Sequence, residues 1–417
     1  MVDVVCGLDF GTSNSTLALI KDTKPFLVRI DQERSTIPSA IFYNFEDDST
    51  QFGQRAIDDY VQGTEGRLLR SLKSILGTAL VTERTQLRRR SLAFTEIIAE
   101  FLHHMKVSTE ARYGISLRKV VVGRPVHFID DDAHADRNAE REFEGIIKSV
   151  GFETVEFQYE PIAAAYQYNS TAGTSGDLAF IVDIGGGTSD FSIIKTEPQN
   201  AERGASVLAT HGVHLGGNDI DRIVSLDAIM PMLGLGSAMR DKELPVPSWL
   251  YNDLATWHKI NGLYTTQIRA LVRQIMLEAA QPSLIGRLLQ VLEQRRGHFL
   301  LSCAESAKIK LSEAKSIFMP LAVAAGELTL ELSAAQLSSI LENWSATIRT
   351  AVQRTLEIGN VTSRDIRTVF LTGGTTLSPV VRGMIKGLLP SAEIVSGDNF
   401  GAVGLGLAID ADRRFRI

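Results

Sequence analysis

Residues 180–194 read FIVDIGGGTSDFSII. An apolar, β-prone run enters a turn of three glycines and leaves as a second apolar run, and this pattern predicts a β-hairpin. Glycine has no Cβ, so the backbone N–H groups of the turn can approach an anion closely. Asp183, Thr188 and Asp190 add side-chain oxygen atoms to the same tip. The tip therefore suits a metal-bound polyphosphate, although three glycines alone are equally compatible with a loose turn.

A second copy of this unit favours the phosphate interpretation. Residues 9–21, DFGTSNSTLALIK, align without a gap on residues 183–195 and share Asp, Gly, Ser, Ile and Lys at equal offsets. Both copies follow an apolar run, and both leave on further apolar residues. A duplicated strand-turn-strand unit explains this better than coincidence does. Two such tips could face each other and hold one phosphate chain from both sides.

This arrangement resembles the actin, hexokinase and Hsp70 ATPase superfamily, and the motifs resemble Hsp70 most. Residues 9–12 are similar to its first phosphate loop and residues 183–190 to its second. The similarity runs from Gly7 to about Leu407, and within the family the chain most resembles the short Hsp70-like proteins of the YegD type. The resemblance implies an α/β, two-lobed actin/Hsp70-like ATPase fold with duplicated ribonuclease H-like domains and a nucleotide cleft between the lobes.

The chain length predicts more than one folding unit, because 417 residues exceed the size at which single cores stop growing, about 250–300 residues. We expect lobe I over 1–175, with a small-subdomain insertion at 37–117. We expect lobe II over 176–392, with a helical insertion at 231–330 that could carry a surface for a protein partner. Residues 393–417 are predicted to form a C-terminal helix that returns to lobe I.

The composition excludes several classes of function. A net charge of −6 offers no basic surface for nucleic acid. Two cysteines, Cys6 and Cys303, are too few for a disulfide framework and are interpreted as small core residues. The chain contains no uninterrupted apolar run of about 18 residues and no basic leader, so we expect no membrane association and a cytoplasmic location.

Two local predictions concern the region before residue 80. Residues 36–43 predict an edge strand that begins with a proline. In residues 67–76 the apolar side chains fall on one helical stripe, and Gly77 supplies a stop, so a helix is predicted. Lys73 then lies near the carboxyl end of that helix, where a lysine is favourable for local reasons alone. Resemblance to the Lys-x-x-x-Gly segment of Hsp70 implies instead that Lys73 reaches the γ-phosphate.

The segment 160–166 reads EPIAAAY, and its proline predicts a helix start with Glu160 at the cap. A capping role is sufficient to explain Glu160 locally. The resemblance implies that this carboxylate orients the attacking water or a metal-bound water.

The resemblance implies the rest of the site residue by residue. The implied catalytic residues are Lys73, Glu160, Asp183 and Thr188. The implied Mg²⁺ ligands, acting largely through water, are Asp9, Asp183 and Asp190. The implied contacts to ATP or ADP are Gly11, Thr12, Ser13, Asn14, Gly185, Gly186, Gly187, Gly216, Gly217, Glu305, Lys308, Ser312, Gly373, Gly374, Thr375 and Asp398.

Two features depart from the Hsp70 pattern. Ile309 and Leu377 stand where Hsp70 has the two arginines that sandwich adenine, so cation–π stacking is lost and we expect weaker nucleotide binding. After the final helix the sequence shows neither the leucine-rich linker nor the β-rich peptide-binding domain of Hsp70, so we do not expect it to clamp unfolded peptide.

Three functions fit these residues. The first is a slow Mg²⁺-dependent ATPase in which nucleotide drives lobe closure. The second is a non-hydrolysing binding module or scaffold regulated by nucleotide occupancy. The third is a small-molecule kinase, against which stands the absence of an obvious acid for activating a substrate hydroxyl.

Overall fold

The structure is a computed structural model that describes residues 2–31, 34–88, 90–130, 132–171, 177–195, 206–240, 242–322, 328–396 and 401–415. These residues form two compact units. Unit 1 comprises 1–217, 347–377 and 381–417, and unit 2 comprises 218–346 and 378–380. No helix in the described ranges combines the length and the apolar character needed to cross a bilayer. The predicted lobes, 1–175, 176–392 and 393–417, stay a prediction.

The strands and helices are numbered in chain order. The strands are β1 Val2–Phe10, β2 Asn14–Lys21, β3 Lys24–Leu27, β4 Ile37–Pro38, β5 Ala40–Asn44, β6 Thr50–Phe52, β7 Gly66–Arg70, β8 Arg84–Leu87, β9 Arg90–Ala93, β10 Ile115–Arg124, β11 Thr154–Tyr159, β12 Leu178–Ile184, β13 Ser189–Lys195, β14 Ser206–Val213, β15 Ala238–Met239, β16 Lys242–Pro245, β17 Ser316–Leu321, β18 Leu328–Ser333, β19 Ile366–Thr372 and β20 Glu393–Ser396. The α-helices are α1 Gly53–Val61, α2 Phe94–Tyr113, α3 Ala133–Ser149, α4 Glu160–Thr171, α5 Gly217–Val224, α6 Trp249–Leu254, α7 Thr266–Glu278, α8 Pro282–Glu293, α9 Gly297–Lys310, α10 Ala334–Ile340, α11 Glu342–Ile358, α12 Pro379–Leu388 and α13 Ala402–Phe415.

The first large sheet of unit 1 has the strand order β11-β10-β1-β2-β3, and β4 pairs with β2. β1 and β2 form the first predicted hairpin, in which Asp9 lies opposite Thr16. β10 and β11 then extend the sheet in parallel beside β1. Their apolar residues are buried on α2 and α3 in a core that includes Phe10, Phe101 and Phe143.

The second large sheet repeats this plan with the order β14-β13-β12-β19-β20. β12 and β13 form the second predicted hairpin, while β19 and β20 add in parallel on the other side of β12. Each sheet therefore consists of an antiparallel three-stranded meander followed by two parallel strands. The predicted α/β fold and both predicted hairpins are confirmed.

Helices α4 and α13 pack together and link the two sheets of unit 1. A single buried cluster contains Val121 of β10, Ile181 of β12, Ala163 of α4 and Leu407 of α13. The helices approach closely because their contact surface is built from small residues. A Cβ on Gly406 would lie 1.7 Å from the carbonyl oxygen of Ala163, so only glycine fits there.

Two predictions for the region before residue 80 are wrong. β5 is the central strand of a three-stranded sheet, β6-β5-β7, and is not an edge strand. The helix predicted over 67–76 is instead β7 followed by a 3₁₀ turn over Leu72–Ile75. The chain changes direction at Ser71, whose φ of 58° lies in the left-handed region.

Unit 2 is predominantly helical. α7 and α8 form an antiparallel pair, and α9 packs on the β17–β18 hairpin. The short strands β15 and β16 form a further antiparallel pair. Buried apolar residues of α6, α8 and α9 include Leu250, Leu288 and Leu300.

Replacing Gly406 with Ala should lower the free energy of unfolding by about 1–3 kcal/mol, because the new methyl group would collide with the backbone of α4. Urea titration followed by circular dichroism measures the effect. Gly383→Ala in α12 is the matched control, since its Cβ meets nothing within 4 Å. That control should stabilise the protein by about 0.5–1 kcal/mol. Equal effects of the two substitutions would contradict the packing account.

Candidate functional site

The tips of the two hairpins meet within unit 1. In the second tip the Gly185 N–H donates to the Thr188 carbonyl at 3.0 Å, which closes a tight turn. A Cβ on Gly187 would lie 2.8 Å from Thr12 Oγ1 in the tip of the first hairpin. The two tips therefore lie against each other, with Gly187 and Thr12 in closest approach.

Two further turns converge on the second tip. The Gly185 carbonyl accepts from the Gly217 N–H at 2.9 Å and from Thr375 Oγ1 at 3.0 Å. A Cβ on Gly216 would lie 2.7 Å from the Gly186 carbonyl carbon. The structure thus brings together the predicted glycine motifs at 185–187, 216–217 and 373–375.

Gly373 is required for its backbone conformation. Its φ is +80°, and a Cβ there would lie 2.3 Å from the Ile184 carbonyl oxygen and 2.8 Å from Asp183 Oδ1. Gly374 begins a short 3₁₀ turn, Gly374–Leu377, before α12. The turn after β19 can therefore lie directly against the carboxyl end of β12.

The first tip is held by a serine from the next segment. The Ser39 N–H donates to the Ser13 carbonyl at 2.9 Å, and Ser39 Oγ donates to the Gly11 carbonyl at 2.7 Å. Ser39 Oγ also lies 2.8 Å from Ser15 Oγ. These bonds fix the backbone of residues 11–13, which connect β1 to Asn14 at the start of β2.

Four carboxylates surround one ammonium beside the tips. Lys73 Nζ donates to Glu160 Oε1, and both side chains are buried. Asp183 and Asp190 are buried cross-strand partners in the second hairpin, and Asp9 is partly buried at the end of β1. Asp190 Oδ1 accepts from the Val126 N–H at 2.8 Å.

The electrostatics reflect this surplus of negative charge. Burial raises the pKa of Asp9 to about 7, with Glu160 adding to the rise and Lys73 opposing it. Burial and Glu160 raise the pKa of Asp190 to about 7, against its hydrogen bonds and Lys73. Burial, followed by the neighbouring carboxylates, raises the pKa of Asp183 well above its ordinary value. Burial disfavours the Lys73 ammonium, yet Glu160 and Asp9 raise the pKa of Lys73.

This donor set fits a hard divalent cation. Asp9, Asp183 and Asp190 bring carboxylate oxygens to one place with Lys73 as the nearby cation, and Mg²⁺ prefers such oxygens while keeping most of its water. No group of three or more His, Cys, Asp or Glu in the described part of the chain is arranged as direct metal ligands. A hard cation beside these carboxylates would keep most of its water ligands.

The predicted nucleoside residues lie on α9 in unit 2. Lys308 forms an ion pair with the buried Asp221 at 2.7 Å, and Ser312 Oγ donates to the Lys308 carbonyl at 3.3 Å. Glu305 is partly buried one turn earlier on the same helix. Asp398 lies outside the described residues.

The two departures from the Hsp70 pattern are both exposed apolar side chains. Ile309 of α9 in unit 2 is 59% exposed. Leu377, in unit 1 at the end of the Gly374–Leu377 turn, is 41% exposed. Neither side chain is buried in the hydrophobic core of its own unit.

Sequence reasoning missed three residues that position the site. Ser39 was read only as part of a strand, and nothing local marks its bonds to the first tip. Arg124 is a buried arginine that ends β10 and bonds Asp136 and Glu140, and the signal available was its charge at the end of an apolar run. Asp130 accepts from the His214 N–H at 3.0 Å and so anchors the turn before Gly216.

Comparison with known proteins gives a consistent result. A family model described as Hsp70 protein matches residues 5–230 and 290–412. Chaperone protein DnaK of Ureaplasma urealyticum is 25% identical over 415 residues, which cover 98% of this chain and 58% of that protein. Chaperone protein HscA homolog of Haemophilus influenzae is 25% identical over 428 residues, covering 97% of this chain and 57% of that protein. The chain thus spans somewhat more than half the length of these curated relatives.

Replacing Ser39 with Ala should destabilise the first tip, because the partly buried Gly11 carbonyl would lose its hydroxyl donor. We expect a loss of about 1–2 kcal/mol in unfolding free energy and faster amide exchange in residues 11–14. Urea titration and hydrogen exchange measure the two effects. Ser149→Ala is the control, since that exposed hydroxyl bonds only the Ile146 carbonyl of its own helix. Unchanged exchange in the tip would contradict the role given to Ser39.

Proposed function

Since this chain belongs to the Hsp70 protein family, we propose that it binds ATP with Mg²⁺ and hydrolyses it slowly, with nucleotide occupancy driving lobe closure. The chain has the α/β fold of the Hsp70 nucleotide-binding region, as predicted. One observation carries the proposal. Two glycine-tipped hairpins meet beside four carboxylates that share a single lysine.

The tips supply the phosphate contacts in this proposal. Backbone N–H groups of Gly186 and Gly187 would donate to a phosphate oxygen, which can approach because these residues have no side chains. The Gly185 N–H closes the turn onto the Thr188 carbonyl, so Gly185 would contribute only by leaving room for the phosphate. Gly11, Thr12, Ser13 and Asn14 face them from the first hairpin. Gly216, Gly217, Gly373, Gly374 and Thr375 would support the rest of the phosphate chain and the adenosine. Mg²⁺ held near Asp9, Asp183 and Asp190 would neutralise phosphate charge.

Lys73 and Glu160 act as a pair. Lys73 Nζ would exchange its bond to Glu160 for a γ-phosphate oxygen, which stabilises the charge that develops during transfer to water. Glu160, once released, would accept a hydrogen bond from the attacking water and orient it. Thr188, whose hydroxyl bonds Asp190, would position that carboxylate and the backbone of the second tip. Asp183 would order the water shell of the metal.

Residues of unit 2 would bind the nucleoside. We assign Glu305 and Lys308 to the ribose hydroxyls and Ser312 to the neighbourhood of the base, with Asp398 assigned by its motif alone. Lys308 would release Asp221 when it takes a ribose hydroxyl. We further propose a place among short Hsp70-like proteins of the YegD type, a cytoplasmic location, and a protein partner that binds within 231–330.

One experiment separates this function from the two alternatives. Purified protein is incubated with Mg·ATP, and bound nucleotide, released phosphate and phosphorylated sugar are measured. Single-turnover phosphate release above background supports the ATPase. Binding without release supports the nucleotide-regulated scaffold, and phosphate transferred to an added sugar supports the kinase. Absence of nucleotide binding refutes all three.

Replacing Lys73 with Ala should lower the single-turnover hydrolysis rate by about 100-fold or more, because the developing charge loses its ammonium. Nucleotide should still bind, since the glycine tips remain, and calorimetry checks this. Lys148→Ala is the control, because that lysine forms a surface pair with Glu144 on α3. An unchanged hydrolysis rate in the Lys73 variant would make the catalytic assignment wrong.

Calorimetric titration with ATP, ADP and GTP tests the adenine pocket. We expect ATP and GTP to differ in affinity by less than about tenfold, since Ile309 and Leu377 provide no guanidinium to stack on the base. The variant with both Ile309→Arg and Leu377→Arg should bind ATP several-fold more tightly than the unmodified protein. Removal of Mg²⁺ with EDTA should weaken the binding of both triphosphates. Strong preference for ATP in the unmodified protein would contradict this account.

A further inference from the structure

Strand β11 forms one edge of the first large sheet. It pairs in parallel with β10 in an unbroken register from Thr154 to Tyr159. No other strand in the described ranges pairs with it. Its outer edge therefore presents backbone N–H and C=O groups that an added strand could use.

A cavity of about 410 Å³ runs along this edge. Five consecutive residues of β11, from Val155 to Tyr159, line it. Glu140 and Glu144 of α3 form one wall, and Arg414 of α13 contributes to the other. Because one strand supplies most of the lining, the cavity has the form of a groove parallel to the strand. We call it the β11 groove.

Alternate residues of β11 direct their backbone N–H and C=O groups away from β10. In a parallel ladder, alternate residues direct their N–H and C=O groups to the same side. The Tyr159 N–H donates to Gln158 Oε1 of its own strand at 2.9 Å. The alternation then places the backbone groups of Val155 and Phe157 on the same outer side as those of Tyr159.

The charges of the groove favour a cationic occupant. Three carboxylates, Glu140, Glu144 and Glu156, line it with two guanidiniums, Arg124 and Arg414. The carboxylate side chains are 33%, 34% and 44% exposed, while the guanidinium side chains are 9% and 25% exposed.

Both guanidiniums are already engaged by protein carboxylates. Arg124 bonds Asp136 and Glu140, and Arg414 bonds Asp410 and Glu156. Glu140 and Glu156 are partners in these pairs, and Glu144 pairs with Lys148 of its own helix. The carboxylate side chains are nevertheless more exposed than the guanidiniums, so a ligand meets carboxylate oxygens first. An acidic ligand would face these carboxylates, whereas a basic one would gain favourable contacts.

We propose that the β11 groove binds an extended, basic polypeptide segment of a partner protein, which adds to β11 as a further strand. Main-chain hydrogen bonds to Val155, Phe157 and Tyr159 supply affinity. Lys or Arg side chains of the partner reach Glu144 and Glu156 on the two sides of the groove. None of the groove-lining residues is assigned to nucleotide or metal, and the proposal stands independently of nucleotide hydrolysis.

The test uses a fluorescein-labelled decapeptide of alternating Lys and Val, read by fluorescence anisotropy on the full chain. Two further peptides are compared with it: the Glu-Val counterpart and the same Lys-Val peptide N-methylated at alternate residues. The Lys-Val peptide is also measured at high salt. We expect the Glu-Val and N-methylated peptides to bind at least about tenfold more weakly. Raised salt should also weaken binding of the Lys-Val peptide.

Protein variants locate the binding. Combined Glu144→Gln and Glu156→Gln should weaken binding several-fold, whereas Glu153→Gln, just before β11 and outside the groove lining, should leave it unchanged. Val155→Pro should abolish binding by removing an outward N–H while keeping the bonds to β10. If that variant fails to fold, the N-methylated peptide tests the same bonds on the intact protein.

Some outcomes would overturn the proposal. These are no binding of the Lys-Val peptide, equal binding of the Glu-Val or the N-methylated peptide, unchanged affinity in the double Gln variant, and binding that survives in a folded Val155→Pro protein. Lys73→Ala protein should bind the Lys-Val peptide as the unmodified protein does. Failure of the proposed hydrolysis is thereby distinguished from failure of the groove.

Discussion

The site depends on the forced proximity of like charges. Asp183 and Asp190 are direct cross-strand partners in the second hairpin, an arrangement that is destabilising for two carboxylates. The equivalent pair in the first hairpin is Asp9 and Thr16, which carries one charge. Lys73 lies beside Glu160, Asp9 and Asp190, so a single ammonium offsets the charge of several acids. The pairing of the strands and the hydrogen bond from the Val126 N–H keep the carboxylates close together despite their remaining repulsion. The excess negative charge attracts cations to the site.

The sequence predicted the parts of the fold that depend on local pattern. Each hairpin could be recognised because its strands, turn and charges lie within 15 consecutive residues, and the copy at residues 9–21 reinforced the first interpretation. The convergence on Gly185 could not be predicted in the same way. Its carbonyl is bonded by Gly217 and by Thr375, the second of which is 190 residues away in sequence. The pairing of β12 with β19 brings Thr375 to Gly185, and the pairing of β13 with β14 brings Gly217 to it.

Lys73 belongs to a segment whose secondary structure was predicted wrongly. A single helical stripe accounts for the burial of Leu68 and Leu69 together with Leu72 and Ile75, and the sequence therefore predicts a helix. In the structure Leu68 packs with Phe42 in one cluster, whereas Leu69 belongs to the main core on the opposite face of β7. A strand that is buried on both faces has no polar alternation, so its apolar pattern resembles that of a helix. The turn at Ser71 then presents Lys73 to Glu160.

The β11 groove and the carboxylate site are connected through one strand, because β11 ends where Glu160 begins α4. Gln158 lies at the junction: its Oε1 accepts from the Tyr159 N–H, and its Nε2 donates to the buried Asp410 of α13 at 3.0 Å. A strand added along β11 as far as Tyr159 would take that N–H and release Gln158 Oε1. The same side chain ties β11 to α13, which packs on α4 at Gly406. Gln158 is therefore the residue at which the edge of the sheet, α13 and the strand that leads into Glu160 meet.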